Sequence, residues 1–268
     1  MQQSYENSFR NLCRCSEIVE AGIGSVSKGT VLDYMHARME QDGVCAATVN
    51  KDIAFLKRML SRAVEWDLAD HNPLQGMRLF PASQKRDVHL SVPQARDLIG
   101  ALPEPIANIV EFALCTGFRK ENILGLKIED ARLYDLPPRG EVVLIVKGGR
   151  RELFPLGPGA LDVIRRAIGD REEGYVFINP QTGTRYTCIH KKFNEVVVEL
   201  GLTAADGTKL RFHDLRHVFA TWLHREGVSL DSLRFLLGHL HRTTTDRYTT
   251  VDRIALGDVL SDRVHIFL

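Results

Sequence analysis

No C-x-x-C pair occurs in the chain, and its five cysteines, Cys13, Cys15, Cys45, Cys115 and Cys188, are odd in number. That pattern argues against a zinc ribbon or a disulfide framework and fits a reducing compartment. No apolar run approaches the ~20 residues of a membrane span. The opening "MQQSYENSFR" lacks the apolar core of a secretory signal. These absences predict a cytoplasmic protein without membrane association. An excess of one charge is also missing, since 35 Lys and Arg stand against 34 Asp and Glu, a net +1. Total charge therefore announces no polyanionic partner, and any basic surface must arise from local clustering. Internal repeats and low-complexity tracts are absent too.

What is present reads as two domains. Residues 1–75 carry helical patterning. "SKGTVLDYMHARMEQDG" offers Ser27 as a cap and Gly43 as a stop. In "TVNKDIAFLKRMLSRAVEW", Thr48 stands at the expected cap, and Val49, Ile53, Leu56, Leu60 and Ala63 form one apolar stripe at helical spacing. Lys51, Lys57, Arg58 and Arg62 lie off that stripe, and Asn72-Pro73 bars continuation of the helix. The stretch 76–88, "GMRLFPASQKRDV", has no sustained period, and the linker is placed at 81–88. Ser91 then caps a new helix with Pro93 in its first turn. "IANIVEFALCTGFRKENILGLKIED" reads as helix, break at Thr116-Gly117, and helix again through Leu126. "EVVLIV" and "RELFPL" are strands joined by "KGGR", with "YVFI" at 175–178 as a possible third. Helices resume at "CIHKKFNEVVVELG", "HDLRHVFATWLHREG" and "SLDSLRFLLG", each stopped by glycine. The expected fold class is mainly α with a small antiparallel β-sheet, α+β.

One set of side chains stands out. His213 and Arg216 are three residues apart, on nearly one helix face. Arg119 opens a helix after a glycine break, and Lys147 sits at a hairpin tip. His239 follows Gly238, and Tyr248 lies nine residues further on. Two arginines, two histidines, a lysine and a tyrosine suggest phosphoryl transfer without a metal or other cofactor. Arginines bind phosphate through paired N–H groups and carry the charge of its transition state. A tyrosine oxygen can attack to give a covalent intermediate, while histidine and lysine move or hold protons.

In order and spacing these residues resemble the tyrosine recombinases, or phage-type integrases. "TGFRKENILGL" is similar to the family's first-arginine motif and "VKGGRRELFPL" to its lysine hairpin. "HDLRH" matches H-x-x-R, and "LGH" with Tyr248 in "TTTDRYTT" matches the last block. "TVNKDIAFLKRMLSRAVEWDLADHNPLQGM" resembles the helical domain with which the family clamps DNA. The likeness spans roughly residues 25–252. It implies a core-type DNA-binding domain over 1–80, shortened at its N-terminus, and a catalytic domain with a C-terminal tail over 89–268.

The resemblance also implies roles. Tyr248 becomes a 3′-phosphotyrosine, Arg119 and Arg216 grip the non-bridging oxygens, and His213 accepts the tyrosine proton. His239 hydrogen-bonds the phosphate, and Lys147 protonates the departing 5′-oxygen. The implied partner is double-stranded DNA, held by a homo-tetramer on paired sites, with Lys51, Lys57, Arg58 and Arg62 contacting it. The implied function is site-specific recombination or integration without metal or ATP. A type IB topoisomerase-like activity, or DNA binding without catalysis, is the alternative. One departure is Asn122, where many members carry an acidic residue.

Among the bystanders, His217 is expected inside, bonded to backbone, and His224 and His241 at the surface. Tyr134 and Tyr186 are expected in packing or loop roles, and Arg150 and Arg151 serve either as polar strand residues or as DNA contacts. The tail's Ile254, Leu256, Val259 and Leu260 suggest a helix that docks on a neighbouring protomer or on its own core.

Overall fold

A computed structural model of the protein describes residues 2–81, 86–135, 138–146 and 148–238. The chain divides into two compact units, Met1–Lys85 and Arg86–Leu268. Among the described residues no helix is long and apolar enough to cross a membrane.

The first unit contains α1 (Gln2–Leu12), α2 (Ser16–Glu20), α3 (Lys28–Gln41) and α4 (Ala46–Glu65). Ser27 caps α3 by accepting the Thr30 N–H at 3.0 Å. In α4 the stripe Val49, Ile53, Leu56, Leu60 and Ala63 is buried, as its spacing predicts. The helix begins two residues before Thr48, with Cys45 at the N-cap. Leu12 from α1, Ile18 from α2 and Val31 and Met35 from α3 complete this core. A polar network is buried beside it. Asp52 accepts from the Tyr34 hydroxyl at 3.0 Å and from Asn11 Nδ2 at 3.3 Å, and Arg38 lies 3.5 Å away. Burial first, and then the Asp52 carboxylate, push the Tyr34 phenol well above its ordinary value.

The second unit opens with α5 (Val92–Ala101), α6 (Glu104–Thr116) and α7 (Lys120–Leu124). Ser91 and Gln94 form a capping box at the start of α5. Helix α6 is buried on nearly every side, the mark of a central element. Strands β1 (Ala131–Asp135), β2 (Pro138–Ile145) and β3 (Arg151–Leu156) form an antiparallel sheet in the order β1-β2-β3. The two strands expected from the hairpin are present. The third is β1, not "YVFI": β1 is short, polar and half exposed, so it carries no apolar alternation to announce it. Val142, Leu144 and Val146 alternate into the core. They lie beneath α8 (Pro158–Ile168), which passes so close that a Cβ on Gly140 would lie 2.5 Å from Leu161 Cδ2.

Within 175–178, Val176 and Phe177 are buried, and only Ile178 joins a short strand. That strand, β4 (Ile178–Asn179), pairs with β5 (Thr184–Arg185). Helices α9 (His190–Glu199), α10 (Asp214–Arg225) and α11 (Leu230–Leu236) follow. Gly201, Gly227 and Gly238, one after each helix, all have positive φ, the stop chemistry expected. Mainly α with small antiparallel sheets is therefore the fold class observed.

Candidate active site

Three of the six candidate residues lie within the described chain, and the fold gathers them. The path to Arg119 begins at Gly117, which ends α6 in the left-handed region, φ 63°, with its N–H on the Ala113 carbonyl at 2.8 Å. A Cβ there would lie 2.3 Å from Phe219 Cδ1 on α10, so both conformation and packing demand glycine. Phe118 then turns inward, edge to face with Phe112 at 6.0 Å and Phe154 at 5.6 Å. Phe154 in turn meets Phe235 of α11 at 5.9 Å. This aromatic chain ties α6, β3 and α11 together beneath Arg119, each contact worth about 0.5–1.5 kcal/mol beyond its burial. Arg119 occupies the N-cap of α7, half-buried.

The α10 segment supplies the other two. Residues 211–216 wind in tight i to i+3 turns, with Asp214 N–H on Arg211 O at 2.9 Å and Arg216 N–H on His213 O at 3.3 Å. His213 stands at the N-cap with helical backbone, and its imidazole makes no capping bond. Arg216, on the same turn, is 6% exposed. Its guanidinium donates to the Gly117 carbonyl at 2.7 Å and to the Leu237 carbonyl. One arginine thus bonds the backbone two residues before Arg119 and two residues before His239. Two of its five N–H groups are spent, and three remain. Arg119 comes to the same place: one of its terminal nitrogens is 3.8 Å from where a Cβ on Gly238 would sit.

The electrostatics are those of an anion site. Burial, followed by the charge of Arg119, pushes the Arg216 guanidinium down to about 10. Neither arginine forms an ion pair among the described residues. Buried charges are ordinarily paired, and two converging guanidinium groups without a carboxylate favour a bound anion. His213 is shifted below its ordinary value by burial first, then by Arg216 and His217. Asp214 opposes the shift, and Arg119 adds to it. The ring is therefore held in its neutral form, able to take a proton.

Lys147, His239 and Tyr248, with His241 and the tail residues Ile254, Leu256, Val259 and Leu260, lie outside the described residues. Gly148 and Gly149, which follow Lys147 in the sequence, both have positive φ, and the Val146 N–H donates to the Arg150 carbonyl at 2.9 Å. Asn122 is half-buried one turn into α7, its N–H on Arg119 O at 2.9 Å, with no side-chain hydrogen bond among the described residues.

Other expectations meet mixed outcomes. His217 is exposed, not inside: one turn along α10 it points away from the buried Leu215–Val218–Phe219 face. His224 is exposed as expected. Arg151, the first residue of β3, pairs with Asp130 at 2.5 Å, and Arg150, just ahead of that strand, lies 3.8 Å from Glu152. In the first unit Lys51 is exposed. Lys57 donates to the Met77 carbonyl at 2.9 Å, Arg58 meets the Tyr5 hydroxyl at 3.2 Å, and Arg62 pairs with Glu65.

One functional feature escaped sequence reasoning, the burial of Asp214 beside the site. A carboxylate in the first helical turn was its only signal.

Residues 89–253 match the profile of the phage integrase family. The chain is similar to tyrosine recombinase XerC of Proteus mirabilis, 26% identical over 264 residues, which cover 92% of this chain and 83% of that protein. It is also similar to tyrosine recombinase XerD of Pseudomonas aeruginosa, 28% identical over 277 residues, covering 96% and 89%. Among solved structures, a lambda integrase dimer bound to a COC′ core site superposes with a TM-score of 0.70 at 17% identity, covering 92% of this chain and 90% of that one. The Tn1549 transposon integrase in complex with transposon right-end DNA gives 0.71 at 19% identity, covering 95% and 91%. At these identities the structural likeness speaks for the fold.

Proposed function

The chain belongs to the phage integrase family, and from that premise we propose that it is a site-specific tyrosine recombinase, cutting and rejoining double-stranded DNA through a 3′-phosphotyrosine. The observation that carries this reading is the convergence of Arg119 and Arg216 on the Gly117 and Leu237–Gly238 backbone, without an ion-paired carboxylate among the described residues and with His213 on the same turn as Arg216.

In the proposed reaction the Tyr248 oxygen attacks the scissile phosphorus and its proton passes to His213. The P–O5′ bond breaks, and Lys147 gives the leaving 5′-oxygen a proton. Arg119 and Arg216 hold the non-bridging oxygens, and His239 adds a hydrogen bond. Preorganised cations of this kind stabilise charge as it develops and need no reorganisation at the moment of reaction. The phosphodiester energy stays in the tyrosyl ester, so a 5′-hydroxyl from a second strand reverses the step without ATP or metal. The first unit, over residues 1–80, serves as the helical DNA-binding domain and joins the catalytic domain, 89–268, through the 81–88 linker. A tetramer on two paired sites would perform the exchange in the cytoplasm. Its support is the likeness to a lambda integrase tetramer bound to a Holliday junction, with a TM-score of 0.63 at 16% identity.

The test is covalent capture. Nicked duplexes tiled across the DNA flanking the coding locus are incubated with the protein and resolved under denaturing conditions. A protein–DNA adduct that disappears in Tyr248→Phe is expected. An adduct that persists in that variant removes Tyr248 as nucleophile. Relaxation of a plasmid lacking any target site would instead favour topoisomerase-like action.

A further inference from the structure

Arg86 takes no part in the site described above, yet all three nitrogens of its guanidinium are spent within the second unit. Nε donates to Asp214 Oδ2 at 3.1 Å, and the other two donate to the Thr208 hydroxyl and the Lys209 carbonyl. The ion pair is largely buried, with the side chains 17% and 5% exposed. The same Asp214 oxygen accepts the Arg211 N–H at 2.7 Å, closing the turn that leads into α10. A second tie lies further along. Trp222 of α10 donates its indole N–H to the Leu90 carbonyl at 3.0 Å. Asp214 and Trp222 are eight residues apart, about 12 Å along a helix. Residues 86–90 therefore hold α10 at two points, and the Ala205 N–H bonds the Asp87 carbonyl at 3.0 Å beside them.

A basic residue just after a linker is ordinarily read as a phosphate ligand on the DNA. The geometry favours another role. A guanidinium that gives three of its five N–H groups to a buried carboxylate and two further acceptors is anchored within the protein, and the carboxylate it holds stands one residue after His213 and two before Arg216 in the H-x-x-R motif.

We infer that Arg86 is a positioning residue: its bond to Asp214, backed by the Trp222–Leu90 tie, fixes the register of α10 and so the placement of His213 and Arg216 toward the phosphate. This inference rests on the function proposed above. Small displacements matter here, since an error of about 1 Å in a reacting group costs on the order of a hundredfold in rate. The groups acting on His213 are Arg216, His217 and Asp214 on α10 and Arg119 at the start of α7. Arg86 moderates one of them, the Asp214 charge.

The experiment uses the full chain as wild type, Arg86→Met, Arg86→Lys and Asp214→Asn. It measures affinity for the captured duplex, the single-turnover rate of adduct formation at saturating DNA across pH, and the His213 imidazole titration by NMR without DNA. Arg86→Met is expected to slow saturated adduct formation about ten- to hundredfold with little change in Kd. It should move the acid limb and the imidazole titration to higher pH, because Asp214 then acts unopposed. Asp214→Asn should move the titration the other way, and Arg86→Lys should restore the titration but only part of the rate. Loss of affinity with an unchanged saturated rate and titration would make Arg86 a DNA ligand and overturn the inference, as would no change in any readout. If Arg86→Met does not fold, Arg86→Lys and Asp214→Asn carry the same comparison. If the wild type forms no adduct, the functional reading fails, while the imidazole titration still decides whether Arg86 governs the surroundings of His213.

Discussion

His213 and His217 stand edge to face with ring centroids 5.9 Å apart, the first at the N-cap of α10 and the second one turn along it. A charge on His217 makes the His213 ring harder to protonate. Together with burial and the two arginines, this keeps His213 below its ordinary value. Adduct formation should therefore hold its rate as pH drops past about 6.5, the free-histidine value, and decline only below it. His217→Ala should lift the His213 value and bring the acid limb to higher pH, read from single-turnover cleavage profiles. Stability follows the same sign. The folded ring protonates later than the unfolded one, so its contribution is present above the unfolded value and is lost as pH falls toward the folded value. Urea titrations of His213→Gln should show a shallower acid-side decline than the wild type.

Gly117→Ala should destabilise the second unit by about 2–5 kcal/mol, combining a left-handed backbone for a residue with Cβ and overpacking against Phe219. Urea denaturation measures it, and Phe219→Leu in the same chain should recover part of the loss by clearing the space.

Arg216→Lys and Arg119→Lys should separate chemistry from folding. Both are expected to reduce adduct formation by about a hundredfold or more, since a lysine has no planar fork for phosphate. Only Arg216→Lys should also lower stability, by about 2–4 kcal/mol, because two buried carbonyls lose their donor. Arg119 has no hydrogen-bonded or ion-paired partner among the described residues, so its replacement should stay within about 0.5 kcal/mol of wild type.

In the first unit, Asp52→Ala should cost about 2–4 kcal/mol, because Tyr34 and Asn11 lose their acceptor while Arg38 keeps its ion pair with Asp42. Tyr34→Phe removes one hydrogen bond from the same network and should cost about 1–2 kcal/mol. Chemical denaturation of the two variants ranks them directly.

The basic face of α4 should divide by what each side chain already holds. Lys51→Ala is expected to weaken DNA binding and lower the salt slope by about 0.9, the signature of one lost phosphate contact. Lys57→Ala should leave the slope unchanged, because that ammonium is bonded to the Met77 carbonyl. Binding isotherms at several salt concentrations distinguish the two.

Much of this was legible in the sequence wherever local chemistry decides the outcome. The α4 stripe, the Ser91 cap, the glycine stops and the β2–β3 hairpin each follow from a periodicity or a turn residue, and the H-x-x-R motif placed His213 and Arg216 on one turn. What was illegible depends on distant partners. β1 is strand only because β2 runs beside it. His217 is exposed because α10 buries its other face. Arg86, placed in the linker by composition, meets Asp214 across 128 positions of chain. Nothing near either residue announces that meeting.

Arg216 is fastened to the Gly117 and Leu237 carbonyls, and this has a bearing on how decayed copies of such a gene should be judged. Selection for a foldable chain alone would preserve that arginine long after the reaction had been abandoned. Its survival in a descendant is therefore poor testimony to a working enzyme. Arg119, which the described fold does not need, is the better witness.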